Sequence, residues 1–181
     1  ERRILLAASG SIAAVKIPTL VSALTKAGAS VRCVITPSAT ELVSPLSLST
    51  LSRNKCYQDK DQWDSHQVKP LHIELAEWAE IIVVAPLSAS SLARWANGLA
   101  DGLLASLLLA CEKTVLVAPA MNTGMWNNKI VQNNWEKINQ LENLIPLVPS
   151  EGLLACDRVG IGKMIDPELI QIAISSALIC S

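Results

Sequence analysis

The chain of 181 residues lacks phenylalanine, has one tyrosine and carries a formal net charge of only −1. Its 15 Lys and Arg residues are scattered among 16 Asp and Glu residues, so no electropositive stripe is available for a phosphate backbone. This argues against nucleic acid as a partner. The longest apolar stretch, residues 102–111, is far shorter than the roughly 20 residues that cross a bilayer. We therefore expect a soluble, cytoplasmic protein that makes no membrane contact.

Cysteine is present, but not in a pattern that would hold a scaffold together. The five cysteines lie at positions 33, 56, 111, 156 and 180 and form neither CxxC pairs nor an even set. Disulfide frameworks and structural zinc sites need such pairing or spacing. The sequence therefore predicts reduced thiols and no metal site.

Short β-rich runs alternate with longer helical runs along the chain. The β-rich runs are continuously apolar, which is typical of parallel strands covered by helices on both faces. They occupy residues 4–8, 30–35, 80–85 and 114–118, with a plausible fifth at 144–148, and helical spacing occupies 12–27, 89–97, 103–111 and 168–178. The polar stretch 53–69 is expected to be an exposed excursion. This order predicts an α/β fold, namely a Rossmann-like three-layer αβα arrangement around a central parallel sheet, in a single domain over residues 1–181.

Three predicted strands are followed by turns that carry hydroxyl groups. The first turn, Ser9-Gly10-Ser11, opens a helix, where backbone N–H groups and the helix dipole favour an anion. The chain lacks the GxGxxG fingerprint of a dinucleotide site, so a mononucleotide fits better. Ser9 or Ser11 could instead simply cap the helix. Residues 36–38 and 86–91 have similar chemistry, which would place three such turns at one edge of the sheet.

The segment PAMNTGMW, residues 119–126, follows another predicted strand and combines one amide with two thioethers and an indole. Loops that leave the carboxyl edge of a parallel sheet are where open α/β proteins bind ligands. The segment therefore indicates a binding turn. The alternative is an ordinary turn whose Met and Trp side chains fill the core.

Six segments match, in chain order, the sequence motifs of one known family. PAMNTGMW matches PxMNxxMW, GSIAA at 10–14 resembles a phosphate turn, and APLSASS at 85–91 resembles APxSANT. The others are LHIEL at 71–75, ANGLAD at 96–101 and GLLACDRVGIGKM at 152–164. On these residues the chain resembles the flavin-dependent cysteine decarboxylases, and most closely those that act on 4′-phosphopantothenoylcysteine.

The resemblance implies an FMN enzyme that converts 4′-phosphopantothenoylcysteine to 4′-phosphopantetheine in coenzyme A biosynthesis. A flavin is needed because it oxidises the thiol-bearing carbon, so that the carbanion left by CO2 can delocalise onto sulfur. The implied intermediates are a thioaldehyde and an enethiolate. The family forms homotrimers or multiples of trimers, and a phosphopantothenate–cysteine ligase is fused to it in many bacteria. Because the chain begins at Glu1 without Met, we expect a fragment or a natural single-domain form.

The same resemblance implies the site residues. Catalytic roles fall to His72 as the base, Asn122 as the carboxylate ligand and Cys156 as the proton donor on a closing flap. The rival interpretations are a histidine at a helix start, a capping asparagine and an inert packed cysteine. The implied FMN contacts are Gly10, Ser11, Ile12, Thr36, Pro37, Ser38, Ser88, Ala89, Ser90, Ser91 and Met121. Substrate contacts are Asn122, Leu153, Ala155, Lys163 and Met164.

The chain departs from the family pattern at a few positions. Ser90 and Gly102 each stand where the family has Asn, and Asp157 stands where Gly is common. Lys163 replaces an Arg, so a bidentate fork becomes a point charge.

Two other functions remain open at this stage. A peptidyl-cysteine decarboxylase of antibiotic-peptide maturation shares the oxidation chemistry but lacks the flap cysteine, so Cys156 argues against it. A non-catalytic regulatory flavoprotein is disfavoured because His72, Asn122 and Cys156 are all retained. The five Trp residues suit interfaces as well as cores.

Overall fold

The computed structural model describes residues 1–180, and within them six parallel strands form one sheet. The strands are β1 (Arg3–Ala8), β2 (Ser30–Ile35), β3 (Cys56–Tyr57), β4 (Ile81–Leu87), β5 (Val115–Pro119) and β6 (Leu144–Pro146), in the spatial order β3-β2-β1-β4-β5-β6. A separate antiparallel hairpin consists of β7 (Ser150–Leu153) and β8 (Val159–Lys163). The order reverses on either side of β1, which is where such sheets open a crevice for ligands.

Helices cover both faces of this sheet. They are α1 (Ile17–Lys26), α2 (Pro37–Thr40), α3 (Pro45–Ser52), α4 (Leu71–Trp78), α5 (Ala89–Ala96), α6 (Leu103–Ala110), α7 (Thr123–Trp126), α8 (Lys129–Ile138) and α9 (Pro167–Cys180), with 3-10 helices at Ile12–Lys16 and Asp59–Trp63. Within residues 1–180, none of the helices is long and apolar enough to cross a membrane.

The hydrophobic core is divided in two by the sheet, because successive strand residues point to opposite faces. In β1, Ile4 and Leu6 belong to one cluster and Leu5 and Ala7 to the other. All seven residues of β4 are buried. This confirms the predicted three-layer α/β arrangement with its central parallel sheet.

Some boundaries differ from the sequence prediction. The helix expected over residues 12–27 is a 3-10 turn followed by α1, because Pro18 lacks an N–H and is tolerated only in the first turn of an α-helix. The polar stretch 53–69 is predicted to be an exposed excursion, but part of it is strand β3, in which Cys56 is buried. Two residues are too short for a periodic signal, and Cys56 joins the sheet by pairing with Cys33.

Candidate functional site

The turns after β1, β2 and β4 meet at the carboxyl edge of the sheet, since these strands are parallel neighbours. They surround a first cavity of about 690 Å³. Its lining comprises Gly10, Thr36, Pro37, Ser38, Asp59, Ser88, Ala89, Ser90, Ser91, Arg94, Asp101, Gly102, Leu104, Ala105 and Met125. The structure thus brings together the three hydroxyl-bearing turns that the sequence placed at one edge.

Gly10 and Ser9 explain why these turns lie so close together. A β-carbon on residue 10 would lie 2.5 Å from the β-carbon of Ser38, so only glycine permits this approach. Ser9 is fully buried, and its hydroxyl donates to the carbonyl of Pro86 and accepts from the backbone N–H of Ser88, both at 2.7 Å. Ser9 therefore joins the β1 and β4 turns and is not available to a ligand.

The hydroxyls of the predicted FMN-binding turns divide into two groups. Those of Thr36 and Ser88 cap helices α2 and α5 by accepting backbone N–H bonds at 3.4 and 3.2 Å. The hydroxyl of Ser11 stands at a helix start but makes no capping bond, which leaves its hydrogen-bonding capacity for a ligand. The alternative that Ser9 or Ser11 caps the first helix is thus wrong for both, because Ser9 bonds to the β4 turn instead.

An arginine that the motif analysis did not single out also lines the first cavity. The guanidinium of Arg94 contacts the carboxylate of Asp101 at 3.0 and 3.2 Å and donates to the hydroxyl of Ser90 at 3.1 Å. Ser90 occupies a position where the family has an amide, and its hydroxyl serves this network. Among the residues whose side chains the structure describes, no group of three or more His, Cys, Asp or Glu is placed to hold a metal ion.

A second, more apolar cavity of about 440 Å³ adjoins the first and shares Gly10, Ser88, Ala89 and Met125 with it. Its remaining lining comprises Ser11, Ile12, Ala13, Val15, Lys16, Ala120, Met121, Asn122, Leu153, Leu154, Ala155, Cys156, Gly162, Lys163 and Met164. The two cavities together hold every predicted FMN and substrate residue. Ser11, Ile12 and Met121 lie in the second cavity, together with the residues predicted to bind substrate.

Asn122 stands where the second cavity meets the hairpin. Its Oδ1 accepts from the backbone N–H of Gly124 at 2.8 Å, which caps α7 and fixes the orientation of the amide. Its Nδ2 points at the sulfur of Cys156, 3.6 Å away. The capping and ligand-binding interpretations are therefore compatible, because each uses a different atom of one amide.

The predicted flap is a β-hairpin packed against the Asn122 turn. Cys156 lies in its exposed tip, and Asp157 beside it has a left-handed φ of 57°. A β-carbon on Gly160 would lie 2.4 Å from the hydroxyl oxygen of Thr123, so the hairpin approaches α7 at this glycine. Met164, at the end of the hairpin, is buried in the core and forms a wall of the cavity.

Cys156 differs from the other cysteines whose side chains are described. Cys33, Cys56 and Cys111 are buried, and burial raises the pKa of each thiol. For Cys56 the pKa rises from 9.0 to about 12. A thiol that resists ionisation is a poor nucleophile. Cys156 is exposed and lines a cavity. Among these four cysteines it is therefore the one whose thiol a ligand can reach.

His72 is not brought to this site within one chain. It lies half-buried in the first turn of α4 and lines neither cavity. Of the three predicted catalytic residues, the fold of a single chain therefore assembles Asn122 and Cys156 only.

Two lining residues were not among the site residues predicted from the sequence, namely Met125 and Asp59. Met125 lines both cavities and lies three residues after Asn122, one helical turn along the same motif. Asp59 comes from the polar stretch, where its carboxylate accepts the backbone N–H of Leu103 and so caps α6 in place of Gly102. Nothing local to either segment indicates that contact.

The tryptophans serve different purposes. Trp126 and Trp135 are buried and pack edge to face, with ring centroids 5.5 Å apart. Trp95 is also buried, and Trp78 stacks under the guanidinium of Arg32 at 4.4 Å. Trp63 is 83% exposed. The alternative that the Trp of PAMNTGMW fills the core is correct for Trp126.

The chain belongs to the flavoprotein family, whose sequence model matches residues 1–178. It is 41% identical over 170 residues to the coenzyme A biosynthesis bifunctional protein CoaBC of Bacillus subtilis, covering 94% of this chain and 41% of that protein. The chain therefore spans less than half of this relative.

Two solved structures cover almost the same length as this chain. A cysteine-to-serine mutant of PPC decarboxylase, complexed with pantothenoylaminoethenethiol, is 39% identical with a TM-score of 0.89, covering 97% of both chains. The FMN binding protein AtHal3 is 40% identical with a TM-score of 0.86, covering 96% of this chain and 95% of that one.

Proposed function

We propose that this chain is an FMN-dependent decarboxylase that converts 4′-phosphopantothenoylcysteine to 4′-phosphopantetheine. The observation that carries the proposal is the contact of Asn122 Nδ2 with Cys156 Sγ at 3.6 Å. Both residues line the second cavity, which adjoins the first cavity with its hydroxyl-bearing turns. A neutral amide and an accessible thiol thus face the same space. Similarity to PPC decarboxylase and to CoaBC supports this substrate and this pathway.

The residues of the two adjoining cavities fit FMN. The crevice lies at the carboxyl edge of a parallel sheet, Gly10 lets two turns approach closely, and Ser11 has a hydroxyl that makes no capping bond. The similar AtHal3 is an FMN binding protein. Bound FMN would supply a reversible two-electron oxidation of the thiol-bearing carbon of the substrate. Residues 10–12, 36–38, 88–91 and Met121 would hold it.

Asn122 binds the substrate carboxylate through Nδ2. A cation at this place would stabilise the carboxylate of the reactant and so raise the barrier to CO2 loss, whereas an amide orients it without a full charge. Because Oδ1 is occupied by the N–H of Gly124, the amide cannot flip without losing its cap. The orientation of the donor is therefore set before substrate arrives.

Cys156 provides the proton for the last step. After CO2 leaves, the substrate is an enethiolate, and a saturated product requires a proton on one carbon and a hydride on the other. The hydride that was taken in the oxidation would return from reduced FMN, and a nearby acid must supply the proton. The Sγ–H of Cys156 lies within contact distance of the amide that holds the carboxylate, so it is close to the carbon that loses CO2. Leu153 and Ala155 of the hairpin line the same cavity and limit the access of water.

The decisive measurement is mass spectrometry of the product formed by purified, yellow protein. Native enzyme is expected to yield the saturated thiol, and Cys156→Ser an enethiol lighter by two hydrogens. Cys111→Ser, at a buried cysteine that lines neither cavity, is the matched control and should yield the saturated thiol. A colourless protein, or a peptide ending in cysteine as the preferred substrate, would contradict the proposal.

His72 completes the site of a neighbouring copy in this proposal, as a homotrimer or a multiple of trimers would allow. Its position outside both cavities of its own chain supports this arrangement. Co-expression of His72→Asn with Cys156→Ser should restore formation of the saturated thiol, since some sites then combine an intact His72 from one chain with an intact Cys156 from the other. Asn122→Asp with Cys156→Ser is the control and should restore no saturated thiol, because Asn122 and Cys156 of one site belong to one chain.

The ligase that supplies the substrate would be either fused to this chain or separate from it in the cytoplasm. The chain's match to 41% of the bifunctional CoaBC supports such a partner. Coupled assay with a phosphopantothenate–cysteine ligase should give continuous conversion of phosphopantothenate and cysteine into 4′-phosphopantetheine.

A further inference from the structure

Two lysines from distant parts of the chain converge on one carboxylate beside the second cavity. Lys16 ends the 3-10 helix after β1, and Lys163 ends hairpin strand β8. Their ammonium nitrogens lie 3.6 and 3.7 Å from the same oxygen, Oδ1 of Asp166. Because both reach one atom, the two cations lie close to each other.

Both lysines also line the second cavity, whereas Asp166 does not. Among the residues that line this cavity in the described part of the chain, Lys16 and Lys163 are the charged ones. Most of the others are apolar side chains, with hydroxyls, one amide and one thiol. The cavity therefore has a positive side, and a ligand that fills it should be an anion with an apolar body.

The side chain of Lys163 lies over the opposite strand of the hairpin. A β-carbon on Gly152 would lie 2.8 Å from Cδ of Lys163, so the lysine stem passes close to this glycine. About a third of the Lys163 side chain and two fifths of that of Lys16 remain exposed, so both ammonium groups can exchange Asp166 for a ligand.

The proposed substrate carries two anionic groups, a carboxylate that leaves as CO2 and a phosphate that does not react. Two cations next to the reacting carboxylate would slow the reaction, because they stabilise the reactant carboxylate, whose negative charge must pass to carbon and sulfur as neutral CO2 leaves. The neutral amide of Asn122 suits the carboxylate, and the lysines suit the phosphate. A phosphate dianion also matches two point charges better than a single carboxylate does.

We propose that Lys16 and Lys163 bind the 4′-phosphate of the substrate and so select phosphorylated over unphosphorylated pantothenoyl compounds. This rests on the proposed function. Asp166 gathers the two lysines and competes with the phosphate for them. The apolar residues Ile12, Val15 and Leu153, which line the same cavity, contact the uncharged pantothenoyl chain.

The contribution of the phosphate to binding can be measured without the reacting carboxylate by using the two decarboxylated products. 4′-Phosphopantetheine and pantetheine both lack the carboxylate and differ only in the phosphate. Calorimetry on the flavin-loaded protein should show that 4′-phosphopantetheine binds about tenfold or more tightly than pantetheine, which corresponds to about 1.4 kcal/mol or more. Lys16→Met and Lys163→Met keep the aliphatic stem, and each should reduce this ratio several-fold. Lys16→Arg should retain it. Lys26→Met, at the exposed end of α1, is the matched control and should leave the ratio unchanged.

A rival role for the cluster is a latch that ties the hairpin to the core. Asp166→Asn distinguishes the two, because it removes the competitor for the lysines. Under the phosphate proposal 4′-phosphopantetheine binds at least as tightly to this variant as to the native protein. Weaker binding of both pantetheine and its phosphate would indicate a latch and overturn the proposal.

Kinetics separate failure of this inference from failure of the proposed function. If native protein decarboxylates phosphorylated and unphosphorylated pantothenoylcysteine with equal kcat/KM, the phosphate site is wrong and the decarboxylase is right. If it decarboxylates neither compound, both are wrong. The expected result is a preference for the phosphorylated compound that weakens with added salt and is largely lost in the double variant Lys16→Met, Lys163→Met.

Discussion

The backbone of Gly162 rests directly on the backbone of Met121. The N–H of Met121 donates to the carbonyl of Gly162 at 3.0 Å, and a β-carbon on residue 162 would lie 2.2 Å from the carbonyl oxygen of Met121. Gly162 also has a φ of +134°, which L side chains rarely adopt. This contact places the hairpin against the turn that carries Asn122, and so holds Cys156 over the cavity.

Gly162→Ala should therefore detach the hairpin. The added methyl group meets rigid backbone, and together with the strained φ this should cost about 1–3 kcal/mol locally. We expect formation of the saturated thiol to fall about 100-fold, measured by mass spectrometry of the product, while the flavin spectrum persists. Gly28→Ala is the control, because Gly28 also has a positive φ but no atom within 4 Å of its β-carbon position. Equal activity of the two variants would show that the contact does not hold the site.

Asn122→Asp should abolish decarboxylation without weakening the fold. The carboxylate still accepts the N–H of Gly124, so the cap remains, but the Nδ2 donor is replaced by a charge that repels the substrate carboxylate. We expect kcat/KM to fall by about 100-fold or more and Tm to change little. Asn128→Asp is matched to it, since Asn128 caps α8 by the same bond, at 2.9 Å to Ile130 N. That variant should keep full activity.

Removal of the hydroxyl should lower the stability of the protein at Ser9 and its affinity for FMN at Ser11. Ser9→Ala leaves the buried N–H of Ser88 without its acceptor, which should cost about 1–3 kcal/mol, or roughly 2–4 °C of Tm per kcal/mol. Ser11→Ala removes no capping bond and should leave Tm nearly unchanged, but it should weaken FMN binding. Thermal melts and flavin titration measure the two effects. A Tm loss in Ser11→Ala with FMN affinity intact would reverse their assigned roles.

The buried thiols should make the protein sensitive to alkali. Burial raises the pKa of Cys56 from 9.0 to about 12, and burial together with the neighbouring Cys56 raises that of Cys33 further. The stability that depends on protonated thiols is therefore complete below pH 9 and is lost as pH rises from 9 towards 12, because only the unfolded chain ionises there. Melts of native and Cys56→Ala protein from pH 8 to 11 should show a shallower decline in the variant. Parallel declines would contradict the assignment.

The sequence was sufficient to predict most strands of the sheet and the turns that follow them. Continuous apolar runs were sufficient to predict β1, β2, β4 and β5, because a strand buried on both faces needs no partner information to be recognised. Parallel strands end at one edge, so the hydroxyl-bearing turns and the PAMNTGMW turn were expected there too. The motif likeness also indicated that Asn122 and Cys156 act together, although 33 residues separate them in the chain.

What only the tertiary structure decided are the distances between segments that carry no local signal for each other. Local sequence cannot show that the buried hydroxyl of Ser9 bonds to the β4 turn whereas Ser11 lines a cavity. Nor can it show that Lys16 and Lys163 both contact Asp166. It also cannot show that His72 lies outside the cavities of its own chain. Backbone periodicity depends on neighbours within a few residues, whereas these contacts arise only when the sheet and its helices have packed.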